Sequence, residues 1–186
     1  LGLKVVLTAR VEDKAREAAA GIEGDVVSFP LDVTDPADVE RLTVFLEGEV
    51  GGVDVLVNNA GVFLDRHFGG LTVPMEAVHE SLEVNVVGPW ALSQAVVPIM
   101  KRRRYGRIVN VSSVNGQKGQ VGQVNYSAAK AGMHGFTMAL AQETAKKGIT
   151  VNTVSPGYIG TDMVMAIKEE IRNQIISTIP VGRLGK

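Results

Sequence analysis

Tyr126 and Lys130 stand four residues apart in the run Asn125-Tyr-Ser-Ala-Ala-Lys130, and Ser113 closes an apolar run thirteen residues before the tyrosine. A phenol and an ammonium at i and i+4 share one face of a helix. The ammonium field favours phenolate, so the pair predicts a tyrosine that exchanges its proton nearer neutral pH than a free one. A serine hydroxyl beside that phenol can bind a carbonyl oxygen. Together the three groups suit carbonyl reduction, with hydride supplied by a cofactor and a proton supplied by the phenol.

Each member alone is weak. A Tyr-x-x-x-Lys spacing is common, and Ser112-Ser113 after a strand is ordinary turn chemistry. Three further segments fall in order around them: Asn58-Asn-Ala-Gly61 after an apolar strand, Asn85 within a helical stretch, and Ser155-Pro-Gly157 after another strand.

The elements that must position these residues alternate along the chain. Strands are predicted at Lys4–Leu7, Val26–Phe29, Val53–Val57, Ile108–Val111 and Ile149–Val154. Helices are predicted at Glu12–Ala20, from Thr34 or Asp35 to about Val50, from Met75 to Arg103, at Tyr126–Lys146 and at Thr161–Thr178. Pro36 suits the first turn of the second helix, with Thr34 or Asp35 as its cap. The Lys101-Arg-Arg-Arg104 run complements the C-terminal end of a helix dipole. Strict strand–helix alternation without hairpin signals argues for an α/β fold, a parallel sheet covered by helices on both faces. In such sheets ligands bind beyond the carboxyl ends of the strands. Arg10, Asp32, Asn58 to Gly61, Ser113 and Pro156-Gly157 all follow strands, so the topology alone brings them to one edge.

Composition narrows the function classes. The formal charge is −1, which gives no basis for a nucleic-acid partner. The chain has no cysteine, so disulfides and thiol chemistry are excluded, in keeping with a cytoplasmic protein. No apolar run approaches the ~20 residues a membrane helix needs. His67, His79 and His134 lack metal-ligand spacing and read as surface or packing residues; no metal is expected.

The motifs together resemble those of the classical short-chain dehydrogenases/reductases, over the whole of residues 1–186. The resemblance implies a single-domain, three-layer Rossmann fold, doubly wound, and catalytic roles for Asn85, Ser113, Tyr126 and Lys130. Ser113 would hold the substrate carbonyl and Tyr126 would protonate it. Lys130 would lower the tyrosine pKa and bind the nicotinamide ribose, and Asn85 would hold a proton-relaying water. Asn59, Ala60 and Gly61 would run along the cofactor. Asp32 and Val33 would meet the adenine, and Pro156, Gly157, Ile159 and Thr161 would lie near the carboxamide and pyrophosphate. Members that prefer NAD carry an acid at the end of the strand where this chain has Ala9, followed by Arg10. A guanidinium can bind a 2′-phosphate that a carboxylate would repel, so NADP(H) is expected.

The stretch from Ser112 to Ile179 is similar to the acetoacetyl-CoA reductase branch, which reduces 3-oxoacyl thioesters. There Gln120, Gln123 and Tyr158 would line the acyl pocket, although Val121 replaces an aromatic residue and alters its wall. The first half, including Phe63-Leu-Asp-Arg-His67, resembles the carbonyl-reductase branch. A broad carbonyl reductase, a 3-oxoacyl-acyl-carrier-protein reductase and a non-catalytic family member are the alternatives. The resemblance also implies a homotetramer or homodimer, with the helices bearing Asn85 and Tyr126 packing on their copies through Ala128, Ala129, Ala131 and Gly132.

The family's glycine-rich turn, its first strand and its last strand have no counterpart in these residues. The expectation is therefore a domain incomplete at both ends, part of a longer protein. The absent strand would lie between the first and third strands present here and leave each with an unpaired edge.

Overall fold

The computed structural model describes residues 2–65 and 71–186, without the side chains of Asp162 and Met163. Five strands run in chain order: β1 (Lys4–Ala9), β2 (Asp25–Pro30), β3 (Val55–Asn58), β4 (Gly106–Val111) and β5 (Ile149–Val154). All of their pairings are parallel, as the alternation predicts. They form a pair, β1–β2, and a triplet in the order β3–β4–β5. Among the described residues β1 and β3 thus each have a single neighbour, and apolar side chains stand open on them. Val5 of β1 is 40% exposed, and Val55 and Val57 of β3 are 49% and 55% exposed.

Helices connect the strands: α1 (Glu12–Ala20), α2 (Pro36–Phe45), α3 (Met75–Leu82), α4 (Gly88–Arg103), α5 (Asn115–Lys118), α6 (Val124–Thr144), α7 (Asp162–Met165) and α8 (Glu169–Ser177). Pro36 occupies the first turn of α2, and Asp35 accepts the Ala37 N–H at 2.9 Å, so the cap is Asp35 rather than Thr34. The core gathers where α2 and α4 meet β4 and β5. Leu42, Val96, Met100, Ile108 and Ile149 are buried together there. At the C-terminal end of α4, Arg102 pairs with Glu47 and Arg103 with Asp54, while Arg104 ends the helix in the left-handed conformation at φ 52°. The basic run therefore closes a helix.

Four elements differ from the sequence expectation. The helix expected to reach about Val50 is α-helical only to Phe45 and continues as a π-helical turn over Leu46–Val50. The stretch Met75–Arg103 is not one α-helix, because a π-helical turn spans Glu83–Val87. Pro89 explains it: proline has no N–H for the carbonyl four residues back, that of Asn85, and its ring crowds that carbonyl. The expected helix Thr161–Thr178 is two, α7 and α8. Arg172 donates to the carbonyls of Met165 and Ile167 at 2.9 and 3.3 Å, satisfying backbone acceptors at the break. Helix α5 was not foreseen; its four residues carry no periodic signal.

A buried polar ladder ties the strands at one level. Asn58 Nδ2 donates to Asn110 Oδ1 at 2.8 Å, and Asn110 Nδ2 donates to Thr137 Oγ1 of α6 at 2.8 Å. The Thr153 hydroxyl donates to the same Thr137 oxygen at 2.8 Å. Asn58, Asn110 and Thr153 are register partners across β3, β4 and β5, so three strand ends and one helix share the chain. Asn110 is fully buried. Replacing it with leucine removes two partners at once. An orphaned buried polar group costs about 1–3 kcal/mol, so urea unfolding should show Asn110→Leu destabilised by at least that much. Equal midpoints for variant and parent would refute a structural role for the ladder.

Candidate active site

The carboxyl ends of β3, β4 and β5 and the first turns of α6 enclose a cavity of about 550 Å³. Ser113, Asn115, Gln123, Tyr126 and Tyr158 supply its polar lining, and Phe63, Ile159, Val164 and Ile167 supply apolar walls. Gly157 and Thr161 line it too. Residues expected to serve substrate and residues expected to serve cofactor thus face one space.

Ser113 follows β4 and Tyr126 sits in the first turn of α6; both side chains line the cavity, and the Ser113 hydroxyl lies near enough to the phenol to act on its pKa. The Asn115 N–H donates to Ser113 Oγ at 3.2 Å, which holds the serine side chain against the short α5. The Tyr126 ring meets the Phe63 ring edge-on, with centroids 5.2 Å apart. Lys130 lies one turn further along α6, buried, with Nζ 5.7 Å from the Tyr126 ring centroid. Nζ donates to the Val111 carbonyl at 2.9 Å.

The charges in this group depart from the sequence expectation. Burial raises the Tyr126 pKa above that of free tyrosine, and the nearby Ser113 hydroxyl offsets only part of the rise. Burial also lowers the Lys130 ammonium to about 8. The lysine field was expected to pull the phenol down. Instead the ammonium is turned towards the Val111 carbonyl, and desolvation of the phenol prevails.

Asn85 lies in the π turn and is fully buried. Its Nδ2 donates to the carbonyls of Ser81 and Val62 at 2.9 and 3.0 Å, and its Oδ1 accepts the Val62 N–H at 3.3 Å. The side chain therefore stitches α3 to the loop after β3. Gly61 in that loop is packed so closely that a Cβ would stand 2.8 Å from Asn85 Oδ1 and 3.2 Å from Lys130 Nζ. Only a glycine lets this backbone lie against both side chains.

The remaining expected cofactor residues divide. Asn59, Ala60 and Gly61 are exposed at the end of β3, as a ligand-facing backbone requires. Arg10 is exposed after β1, and its charge is felt at Asp32. The hydroxyl and amide of Thr34, then the Arg10 charge, hold the Asp32 carboxyl below its ordinary value. Thr34 makes those bonds to Oδ1 at 2.7 and 2.9 Å, so Asp32 also carries turn chemistry. Val33 points into the core instead: it is 9% exposed and packs so tightly on Gly88 that a Cβ there would come within 2.7 Å. The Pro156 carbonyl accepts the Val114 N–H at 3.1 Å, and Ile159 forms a bridge with Gly185.

Of the expected acyl-pocket residues, Gln123 and Tyr158 line the cavity and Gln120 does not. Val121 is 96% exposed and forms no part of its wall. His134 packs 3.1 Å from Ser112 Oγ and His79 is exposed; His67 lies outside the described residues, as does Arg66. Among the described residues no cluster suited to a metal ion and no helix long and apolar enough to cross a membrane occurs. Sequence reasoning missed Asn115, whose Nδ2 donates to Gln123 Oε1 at 2.8 Å inside the cavity. It also missed Phe63 and Asp65, which contact Tyr126 across a separation that no local pattern reveals.

The short chain dehydrogenase family profile matches residues 1–172. The acetoacetyl-CoA reductase of Cupriavidus necator is 57% identical over 141 residues, 75% of this chain and 56% of the relative. The acetoacetyl-CoA reductase of Allochromatium vinosum is 48% identical over 177 residues, 94% of this chain and 70% of the relative. A 3-oxoacyl-[acyl-carrier-protein] reductase, FabG of Vibrio cholerae, is 42% identical over 184 residues, 99% of this chain and 75% of the relative. The chain thus spans between about half and three quarters of the length of these curated relatives. Parallel strands joined by helices, a serine and a tyrosine facing one cavity at their carboxyl edge, and a profile match over most of its length lead to one conclusion: the chain belongs to the short-chain dehydrogenase family.

Proposed function

We propose that residues 1–186 are part of the nucleotide-binding and catalytic domain of an NADPH-dependent reductase of 3-oxoacyl thioesters, with acetoacetyl-CoA as the substrate. The observation that carries this reading is Ser113 and Tyr126 facing one cavity, with Lys130 buried one helical turn further along α6. The thioester assignment draws on the names of the relatives and on Gln123 in the cavity wall, since a glutamine amide can hydrogen-bond a thioester carbonyl.

The nicotinamide cofactor, when bound, supplies the hydride. Asn59 to Gly61, Lys130 and the Gly157–Thr161 segment would hold its nicotinamide half, and Arg10 and Asp32 the adenosine half. The close-packed Gly61 and the exposed strand end fit such a ligand. Ser113 would orient the ketone oxygen and Tyr126 would deliver the proton to it. A phenol kept protonated by burial is the correct state for an acid in the reductive direction. Asn85 would act through Gly61, which it borders and whose backbone also lies against Lys130.

Association with further copies is part of the proposal. Trp90 of α4 stacks on Phe136 of α6 at 5.6 Å yet is 51% exposed, and Met138 is 62% exposed. Ala128, Ala131 and Gly132 are also exposed and leave room for a second helix, whereas Ala129 is fully buried and faces inward. A homodimer or homotetramer of a cytoplasmic enzyme fits this surface.

The test is NADPH oxidation by the full-length protein with acetoacetyl-CoA, followed across pH. The reductive step needs Tyr126 protonated and Lys130 charged. The tyrosine keeps its proton beyond the pH at which the lysine, at about 8, loses its own. The profile of kcat/KM should therefore be flat below pH 8 and fall about tenfold per unit above it. No turnover with acetoacetyl-CoA would sink the substrate assignment, and a rate still rising well above pH 8 would sink the role of Lys130.

A further inference from the structure

Tyr126 is gripped from a second direction by the loop that follows β3. We infer that Asp65 is a positioning residue for Tyr126, its buried carboxylate holding the first turn of α6 so that the phenol faces the cavity. The inference rests on the reductase reading for its catalytic consequence, and on geometry alone for the contact.

Helix α6 begins without a side-chain cap of its own: Gln123, at the cap position, makes no such bond. The first amides of a helix have no acceptor within it. Asp65, 61 residues upstream, supplies one, its Oδ2 accepting the Tyr126 N–H at 2.9 Å. A backbone amide can only donate, so the direction of this bond is fixed. The carboxylate is 1% exposed and forms no ion pair among the described residues. Its Oδ1 has no hydrogen-bond partner among the described residues, so the bond to the Tyr126 N–H is the contact that ties this side chain to α6, whose N-terminal end favours a carboxylate.

The same loop touches the site at three more points. Gly61 lies against Asn85 and Lys130, Val62 bonds Asn85, and the Phe63 ring meets the Tyr126 ring. Phe63 fixes the ring from its edge and Asp65 fixes the backbone that carries it. Between them they set where the phenol oxygen stands relative to Ser113. The loop that starts on the proposed cofactor side thus ends by aiming the proton donor.

The experiment compares Asp65→Ala and Asp65→Asn with the parent in the full-length protein. A misplacement of about 1 Å at a catalytic group costs up to about 100-fold, so kcat with acetoacetyl-CoA should fall about 10- to 100-fold in Asp65→Ala with KM for NADPH little changed. Asparagine keeps an acceptor for the amide and should recover most of the loss. A second readout needs no turnover. Residues 1–186 contain three tyrosines, so ring-labelled tyrosine gives few carbon NMR signals from this region, and Tyr126→Phe assigns that of Tyr126. The Tyr126 signal should move in Asp65→Ala, return towards the parent in Asp65→Asn, and leave those of Tyr105 and Tyr158 in place. An unmoved Tyr126 signal, or unchanged kcat in both variants of an active enzyme, overturns the inference. So does a KM for NADPH that rises in step with the fall in kcat, which would place Asp65 in cofactor binding. A moved signal in a protein whose parent shows no reductase activity would instead strike the reductase reading. Where Asp65→Ala does not fold, Asp65→Glu displaces the carboxylate by one methylene and is read by the same kcat and NMR criteria.

Discussion

Tyr126→Phe is expected to abolish nearly all reduction of acetoacetyl-CoA by NADPH while leaving the fold intact. The substitution removes one oxygen. That oxygen is the group proposed to protonate the forming alkoxide, and general acid catalysis of this kind contributes about 10²–10⁴-fold. The rest of the side chain keeps its environment: the ring still meets Phe63 edge-on, and the backbone N–H is still held by Asp65. Ser113 loses a neighbouring hydroxyl but keeps the Asn115 N–H on its own hydroxyl oxygen. Stability measured by urea unfolding should therefore change little. Steady-state kcat and NADPH binding, measured side by side, make the check. The expected pattern is a collapsed kcat with binding retained. Turnover within a few-fold of the parent would remove Tyr126 as the acid and leave Ser113 or a water to be tested in its place.

Arg10→Asp is expected to reverse the choice of nucleotide. Arg10 directly follows β1, and the Leu31 N–H donates to the Ala9 carbonyl at 2.9 Å, so the ends of β1 and β2 are tied together. That tie brings the Arg10 charge close enough to depress the Asp32 carboxyl, after the Thr34 hydrogen bonds. Among the described residues no carboxylate forms an ion pair with Arg10, so the exposed guanidinium is open to a 2′-phosphate. A hydrogen bond to a charged group contributes about 1.5–3 kcal/mol, which corresponds to about 10- to 100-fold in kcat/KM lost for NADPH. The new carboxylate can accept from the ribose 2′-hydroxyl, so NADH should improve in the same variant. Arg10→Ala separates the two effects: NADPH should weaken without a gain for NADH. An unchanged NADPH preference in Arg10→Asp would place recognition of the phosphate elsewhere.

Much of the architecture was readable in one dimension because parallel strands buried among helices announce themselves. Val53 to Val57, Ile108 to Val111 and Ile149 to Val154 are short segments rich in β-branched residues, and strands were found at all three, with edges moved by at most two residues. The carboxyl-edge rule then brought Arg10, Asp32, Asn59, Ser113 and Gly157 to one side without knowledge of a single contact. Local patterns failed where a distant residue decides conformation or charge. Pro89 turned an expected α-helix into a π turn at Asn85, and packing on Gly88 sent Val33 into the core.

The chemistry of Tyr126 shows the same division. Its identity, its i+4 lysine and its upstream serine are facts of the chain, and they point to an acid acting on a carbonyl. Whether that acid is charged or neutral follows from burial, which the sequence does not state and which raises the phenol and lowers the lysine together. What holds the acid in place is likewise tertiary. Asp65 is separated from Tyr126 by 61 residues, and only the return of α6 to the end of β3 makes it a cap. The sequence by itself determined the kinds of groups available and the edge they share, because residue type and strand order are carried along the chain. Solvation, charge state and aim belonged to the tertiary structure, because each depends on atoms brought close from elsewhere in the chain.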